Sequence, residues 1–233
     1  LLRNSKSGRN EVWLMEGGDR ASTINLPSRN SNWEFAAAGD FDGDGDSDLL
    51  LRNSKSGRNE IWLMEGGDRA STINLPSRNS NWEFAPTGDF DGDGDSDLLL
   101  RNSKSGRNQV WLMEGGDRAS TINLPSRNSN WEFAAAGDFD GDGDSDLLLR
   151  NSKSGRNQVW LMEGGDRAST INLPSRNSDW NVVGVGDLNG DDSSDILWRN
   201  SKNGRNQVWL MNGTRRESIV NLPARSNSWE LSV

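Results

Sequence analysis

Self-similarity at a fixed period is what most limits the fold open to this chain. The tripeptide "LRN" begins at Leu2, Leu51, Leu100 and Leu149, and its variant "WRN" begins at Trp198, so successive copies lie 49 residues apart. Repetition at this spacing is the mark of stacked or radial arrays rather than of a one-off globular core. The 233 residues therefore read as one domain, 1–233, of five units with bounds 2–50, 51–99, 100–148, 149–197 and 198–233, the last completed by the amino-terminal segment. The first three units differ at a handful of positions, such as Glu11 and Val12 against Glu60 and Ile61, or Ala37 and Ala38 against Pro86 and Thr87. Such near-identity marks recent amplification or engineering. From Asp179 onward the sequence drifts from the others, as an older terminal copy would.

Within one unit the pattern predicts four short strands and no helix. "WEFAAAGDF" (Trp33 to Phe41) is followed by an acidic loop, "LLLRN" (Leu49 to Asn53), a "SKSGRN" turn, "EIWLM" (Glu60 to Met64), "EGGD" and "STINLP" (Ser71 to Pro76). The strand segments carry Ile, Leu, Trp and Phe, and Gly, Asn, Asp and Ser clusters separate them. Runs such as "IWLM" put large side chains on both faces of a strand, which is stable only when each sheet packs between two neighbours. Radial repetition supplies that packing. The expected fold is all-β: a five-bladed β-propeller of four-stranded antiparallel blades. The chain opens at a second strand and ends in "SWELSV", the start of a first strand. Pairing of Trp229 to Val233 beside Leu1 to Asn4 would close the ring and remove its open edge. The result would be a monomeric ring.

Composition removes several classes of function. There is no Cys and no His, so thiolate or imidazole metal sites, disulfides and the commonest general base are all missing. The net charge of −9 argues against a phosphate-binding surface, and nucleic acid is not an expected partner. No apolar run approaches the ~18 to 20 residues that span a bilayer, so no membrane insertion is expected. Because the chain starts inside a repeat, its natural amino terminus is left open.

The acidic loop carries the strongest chemical signal. "DFDGDGDSD" occurs at Asp40 to Asp48, Asp89 to Asp97 and Asp138 to Asp146, and an edited copy, "DLNGDDSSD", runs from Asp187 to Asp195. Asp40, Asp42 and Asp44 stand at loop positions 1, 3 and 5, Gly45 permits a tight turn at position 6, and Asp48 closes the loop at position 9. The carbonyl of Asp46 is the natural ligand at position 7. An all-oxygen, carboxylate-rich set suits calcium, which takes about 6 to 8 oxygens at flexible distances. Solvated turn residues would also be rich in Asp and Gly, but they would not align carboxylates at alternate positions in four loops. An EF-hand fails because its twelfth residue should be Glu, whereas Leu51 and Trp198 stand there and both flanks read as strands. A calcium-binding nonapeptide solenoid fails because its acidic loops would recur about every nine residues.

The run "GDFDGDGDSDLLLRN" with the following "GRNQVWLMEGG" resembles the FG-GAP/VCBS repeats of bacterial surface proteins, which are related to the calcium-loop blades of integrin α-subunit propellers. The resemblance covers essentially the whole chain, and it implies a propeller with calcium in the loop between the first two strands of a blade. Carried over, the ligands would be Asp40, Asp42, Asp44, Asp46 and Asp48, then Asp89, Asp91, Asp93, Asp95 and Asp97, then Asp138, Asp140, Asp142, Asp144 and Asp146. In the fourth loop they would be Asp187, Asn189, Asp191, Ser193 and Asp195, with Asn189 replacing an Asp and Asp192 replacing the position-6 Gly. Up to four calcium ions are thus expected, with occupancy weakest in the fourth loop.

Three functions remain open: a non-catalytic scaffold or adhesion module rigidified by calcium, a calcium-dependent lectin with repeated sites between blades, and an enzyme. The partner would be a protein surface or a glycan. For the lectin, the candidate platform is the strand-opening set Trp33, Trp82 and Trp131, which follows the polar "SRNSN" loops and so lies nearer the rim than the "VWLM" set. Core filling and turn hydrogen bonding are the competing readings of the Trp sets and of the "RN" pairs. An enzyme is not expected, because the clustered carboxylates are committed to a cation and identical repeats make identical sites. Loops of this kind need the ~millimolar calcium found outside cells, so the expected location is secreted or at the cell surface.

Overall fold

The Gly, Asn, Asp and Ser clusters leave apolar stretches long enough for a strand and too short for a helix. The computed structural model, which describes residues 1–226, 228 and 229, accordingly shows nineteen strands and no helix among the described residues. The first blade holds β1 (Leu2–Arg3), β2 (Asn10–Glu16) and β3 (Asp19–Leu26). The second holds β4 (Trp33–Gly39), β5 (Asp48–Asn53), β6 (Asn59–Glu65) and β7 (Asp68–Leu75), and the third β8 (Trp82–Phe84), β9 (Leu98–Asn102), β10 (Asn108–Glu114) and β11 (Asp117–Leu124). The fourth holds β12 (Trp131–Gly137), β13 (Asp146–Asn151), β14 (Asn157–Glu163) and β15 (Asp166–Leu173). The fifth holds β16 (Trp180–Gly186), β17 (Asp195–Asn200), β18 (Asn206–Asn212) and β19 (Arg215–Leu222). Strands pair antiparallel in chain order within each blade, and the five sheets are arranged as a five-bladed β-propeller.

The expected pairing of Trp229 to Val233 with Leu1 to Asn4 involves Glu230 to Val233, which lie outside the described residues. Among the described residues β1 pairs only with β2.

Local chemistry sets the strand ends. β7 begins at Asp68, three residues before the expected Ser71, because Gly66 and Gly67 take φ values of 57° and 89° and make a two-residue hairpin turn that pairs Glu65 with Asp68. Positive φ at both turn residues matches the right-handed twist of the strands, and only Gly takes it freely. In the third blade Pro86 stands where Ala37 and Ala135 pair with Leu50 and Leu148 in the ladder, and Pro has no N–H to offer, so β8 stops at Phe84 and only an isolated Gly88–Asp97 bridge remains of the longer strand.

The core lies between blades. Leu49 and Leu51 face the first blade beside Trp62 and Met64, whereas Leu50, one residue away, faces the third blade beside Trp111 and Met113. Equivalent clusters join blades three and four and blades four and five. This is the both-faces burial that the "LLL" and "VWLM" runs require.

Candidate metal centres

Each acidic loop spans the hairpin between the first and second strands of a blade, so all four lie at the same end of the propeller. In the second blade the loop is tied at its base by Asp48. This fully buried carboxylate accepts the Phe41 N–H at 2.9 Å through Oδ2 and the Met64 N–H at 2.8 Å through Oδ1. Asp97 does the same with Phe90 and Met113, and Asp146 with Phe139 and Met162. The loop then folds back so that Asp40, Asp42 and Asp48 each offer an oxygen, all within 4.8 Å of one another. Asp89, Asp91 and Asp97, and likewise Asp138, Asp140 and Asp146, form the same triplet.

The structure therefore gathers loop positions 1, 3 and 9 of the expected set. Position 5 stands apart: Asp44 Oδ1 accepts the Asp46 N–H at 2.8 Å. The Asp46 side chain has a role that sequence reasoning missed, since its Oδ2 accepts the Gly66 N–H at 2.7 Å and ties the loop to the β6–β7 turn. Asp95 and Asp144 repeat this with Gly115 and Gly164. The signal was available in the shared 49-residue offset of "DSD" and "EGGD".

Neighbouring loops touch. The Ser96 N–H donates to the Asp40 carbonyl at 2.5 Å and the Ser145 N–H to the Asp89 carbonyl at 2.5 Å. Gly43 and Gly92 stand at these junctions with φ of 70° and 72°, which other residues adopt only with strain, and a Cβ there would also push aside the end of the Asp95 or Asp144 side chain.

The fourth loop differs, as its sequence foretold. Asp192 adopts φ 64°, the one non-Gly residue with positive φ among the described residues, at the position held by Gly45, Gly94 and Gly143 elsewhere. The Asn189 amide donates to Asp191 at 2.9 Å, and Asp187 accepts the backbone N–H groups of Gly190, Asp191 and Asp192. Asp89 accepts the equivalent three N–H groups of Gly92, Asp93 and Gly94, so this anchoring is shared; what the fourth loop lacks is the charge that Asn189 does not contribute.

The FG-GAP-like repeat family matches residues 40–100, 89–149 and 138–198, a continuous span of more than half the chain. This chain belongs to the FG-GAP-like repeat family. Among solved structures it is similar to the Tc holotoxin pore of Photorhabdus luminescens, with 19% identity, a TM-score of 0.58, and coverage of 95% of this chain and 12% of that one. An auxiliary nutrient binding protein from Bacteroides ovatus is similar at 10% identity and a TM-score of 0.56, over 88% of this chain and 50% of that one. A protein of unknown function from Bacteroides caccae is similar at 12% identity and a TM-score of 0.50, over 93% of this chain and 70% of that one. The chain thus spans only a small part of the first of these, and at such identities the likeness shows the fold alone. No curated protein matches the chain.

The electrostatics of the FG-GAP-like loops say what the triplets want. Burial pushes the Asp48 carboxyl up to about 6, Asp97 up to about 8 and Asp146 up to about 7, against the pull of their two backbone N–H donors. Burial and then the nearby Asp44 also raise Asp42, and Asp91 and Asp140 are raised in the same way. Oδ1 of Asp42 and Oδ1 of Asp91 are buried without a hydrogen-bond partner. A buried carboxylate oxygen with no donor and excess negative charge around it is what a hard cation corrects, so the residues fit a calcium ion. In the fourth loop burial likewise raises Asp195, while Asp187 is lowered by its backbone donors, Gly190 first.

The strand-opening Trp set divides by blade: Trp33 is buried, whereas Trp82 and Trp131 are half-buried and line grooves between first strands of adjacent blades. The groove at Trp82 measures about 420 Å³ and includes Arg52, Glu34 and Glu83, and the one at Trp131 measures about 300 Å³ with Arg101, Glu83 and Glu132. The "RN" pairs turn out to be structural. Arg52 holds Asn59 at 2.9 Å and the carbonyls of Arg78 and Asn79, while Asn53 Oδ1 accepts the Lys55 and Ser56 N–H groups of the following turn.

Proposed function

We propose that this protein is a calcium-stabilised, non-catalytic scaffold or adhesion module that works outside the cell. The observation that carries the reading is the thrice-repeated triplet of positions 1, 3 and 9, each built on a buried carboxylate, with the first two loops hydrogen-bonded to the loop of the next blade. Asp40, Asp42 and Asp48 and their equivalents would hold the ion, whose role is to supply the positive charge that this cluster lacks. An ion bound there would stiffen both its own hairpin and the junction to the neighbouring loop. Ligand that binds only the folded chain stabilises it by RT ln(1 + [L]/Kd), about 2.7 kcal/mol at a ~100-fold excess over Kd for one site. The melting temperature should therefore rise with calcium and fall with chelator, and titration calorimetry should show three sites tighter than a fourth. Identical melting in chelator and in excess calcium, with no heat of binding, would sink the reading.

A second reading is favoured by the grooves at Trp82 and Trp131, where a half-buried indole lies beside an Arg and two Glu. An apolar platform ringed by charged hydrogen-bonding groups suits a sugar ring. Binding on a polyvalent glycan array, lost in Trp82→Ala/Trp131→Ala while the fold survives, would establish a lectin. Silence at high density would leave the scaffold.

A further inference from the structure

Five blades make four internal junctions, and the two faces left over are built like the halves of a fifth. On the leading face of the first blade Trp13 is 40% exposed and Met15 59%, whereas the equivalent Trp62 is 0% and Met64 3% exposed. On the trailing face of the last blade Leu222 is 37% and Leu188 41% exposed, whereas their equivalents Leu173 and Phe139 are 7% and 1%. Both faces are open at once in the same chain, with all four internal junctions packed. Apolar surface of this kind, matched elsewhere in the molecule to a covering blade, marks an interaction site.

We propose that the trailing face of the fifth blade docks onto the leading face of the first blade of a second copy of this chain, head to tail. The fit is already specified in the molecule. At each internal junction an Arg in the loop after the last strand of one blade crosses to the third strand of the next: Arg29 meets Glu60 at 2.6 Å, Arg78 meets Gln109 at 2.9 Å, Arg127 meets Gln158 at 3.0 Å and Arg176 meets Gln207. The same Arg stacks on the partner blade's indole, as Arg29 does on Trp62 at 5.2 Å. Arg225 occupies this position in the last blade, and its N–H is held by the Gly204 carbonyl at 3.0 Å just as the Arg29 N–H is held by Gly8. Its counterpart across the missing junction is Glu11, beside Trp13. The charges are complementary, as they are for Arg29 and Glu60. Among the described residues neither end face is covered by the other, and a second copy offers each face the kind of partner it has at the internal junctions. The two faces differ, so the contact is heterologous and builds a ring or a filament according to its rotation.

Sedimentation velocity of the full chain over a concentration series tests this. The expected result is mass above the 25.7 kDa of one chain that grows with concentration. Trp13→Asp and Leu222→Asp, both at exposed positions, should each abolish the growth with unchanged circular dichroism. Glu11→Arg and Arg225→Glu should each weaken association alone, and mixing the two variant proteins should restore a dimer, because only a contact in trans can be rescued by mixing. A chain that stays at one mass at every concentration overturns the proposal. So does a melting loss in Trp13→Asp that is the same at every concentration, which would place the covering blade in the same chain.

Discussion

Asp97 is buried between two backbone N–H donors, and its folded pKa of about 8 stands above the ordinary 3.8. The calcium-free folded chain therefore holds a proton that the unfolded chain releases. Its contribution to stability is complete below pH 3.8 and is lost as pH rises toward about 8. Asp146, raised to about 7, follows the same course. Calcium needs the ionised carboxylate and takes the proton's place, so binding near neutral pH should expel protons. Calorimetry at pH 7 in two buffers of different ionisation enthalpy should give different apparent heats for the same titration. Equal heats would mean that these carboxylates are not ligands. At this scale the sequence showed the ligand types and the weaker fourth loop, because Asp alternation and the Gly-to-Asp change at Asp192 are local facts. It did not show that position 5 turns inward to its own backbone or that Asp46 uses its carboxylate on the next hairpin, since both depend on how the loop folds back over the β6–β7 turn.

Between elements, the junctions differ in one informative way. Glu60 is almost fully buried and pairs with Arg29, whereas Gln109, Gln158 and Gln207 accept from Arg78, Arg127 and Arg176 at the equivalent places. An ion pair that loses hydration on both sides gains little over a neutral hydrogen bond of the same shape. Glu60→Gln should therefore cost less than about 1 kcal/mol, while Glu60→Ala, which strands a half-buried guanidinium, should cost about 1–3 kcal/mol. Thermal melts of the two variants in one buffer decide it, and equal losses would show that the Arg makes no contribution through this contact. The crossing Arg was hidden in sequence inside the polar "SRNSN" loop, where nothing local separates a solvated residue from one that bridges blades. The strands themselves were legible, since two-sided apolar runs and Gly-rich turns are read residue by residue. The shortened β8 was foreshadowed by Pro86 standing where its equivalents are Ala.

At the scale of the whole molecule, each blade contacts only its neighbours, so stability is close to a sum of blade terms and junction terms. The second, third and fourth blades each have two packed junctions, and the first and fifth have one. Opening an end blade breaks one junction, and opening a middle blade breaks two. Hydrogen exchange should follow this ladder, with slowest exchange in β9 and β10 and faster exchange in β2 and β19. The exposed Trp13 and Met15 on β2 and Leu222 on β19 are the visible cause. Head-to-tail docking adds a junction to both ends together, so protection of β2 and β19 should rise with protein concentration while that of β9 and β10 stays nearly constant. Calcium should act differently, because the triplets lie in the loops after β4, β8 and β12 and the first blade has none among the described residues. It should raise protection in the middle of the array at any concentration. If β2 exchanged as slowly as β10 in dilute solution, its leading face would be covered within the chain and the ring would be closed by its own ends.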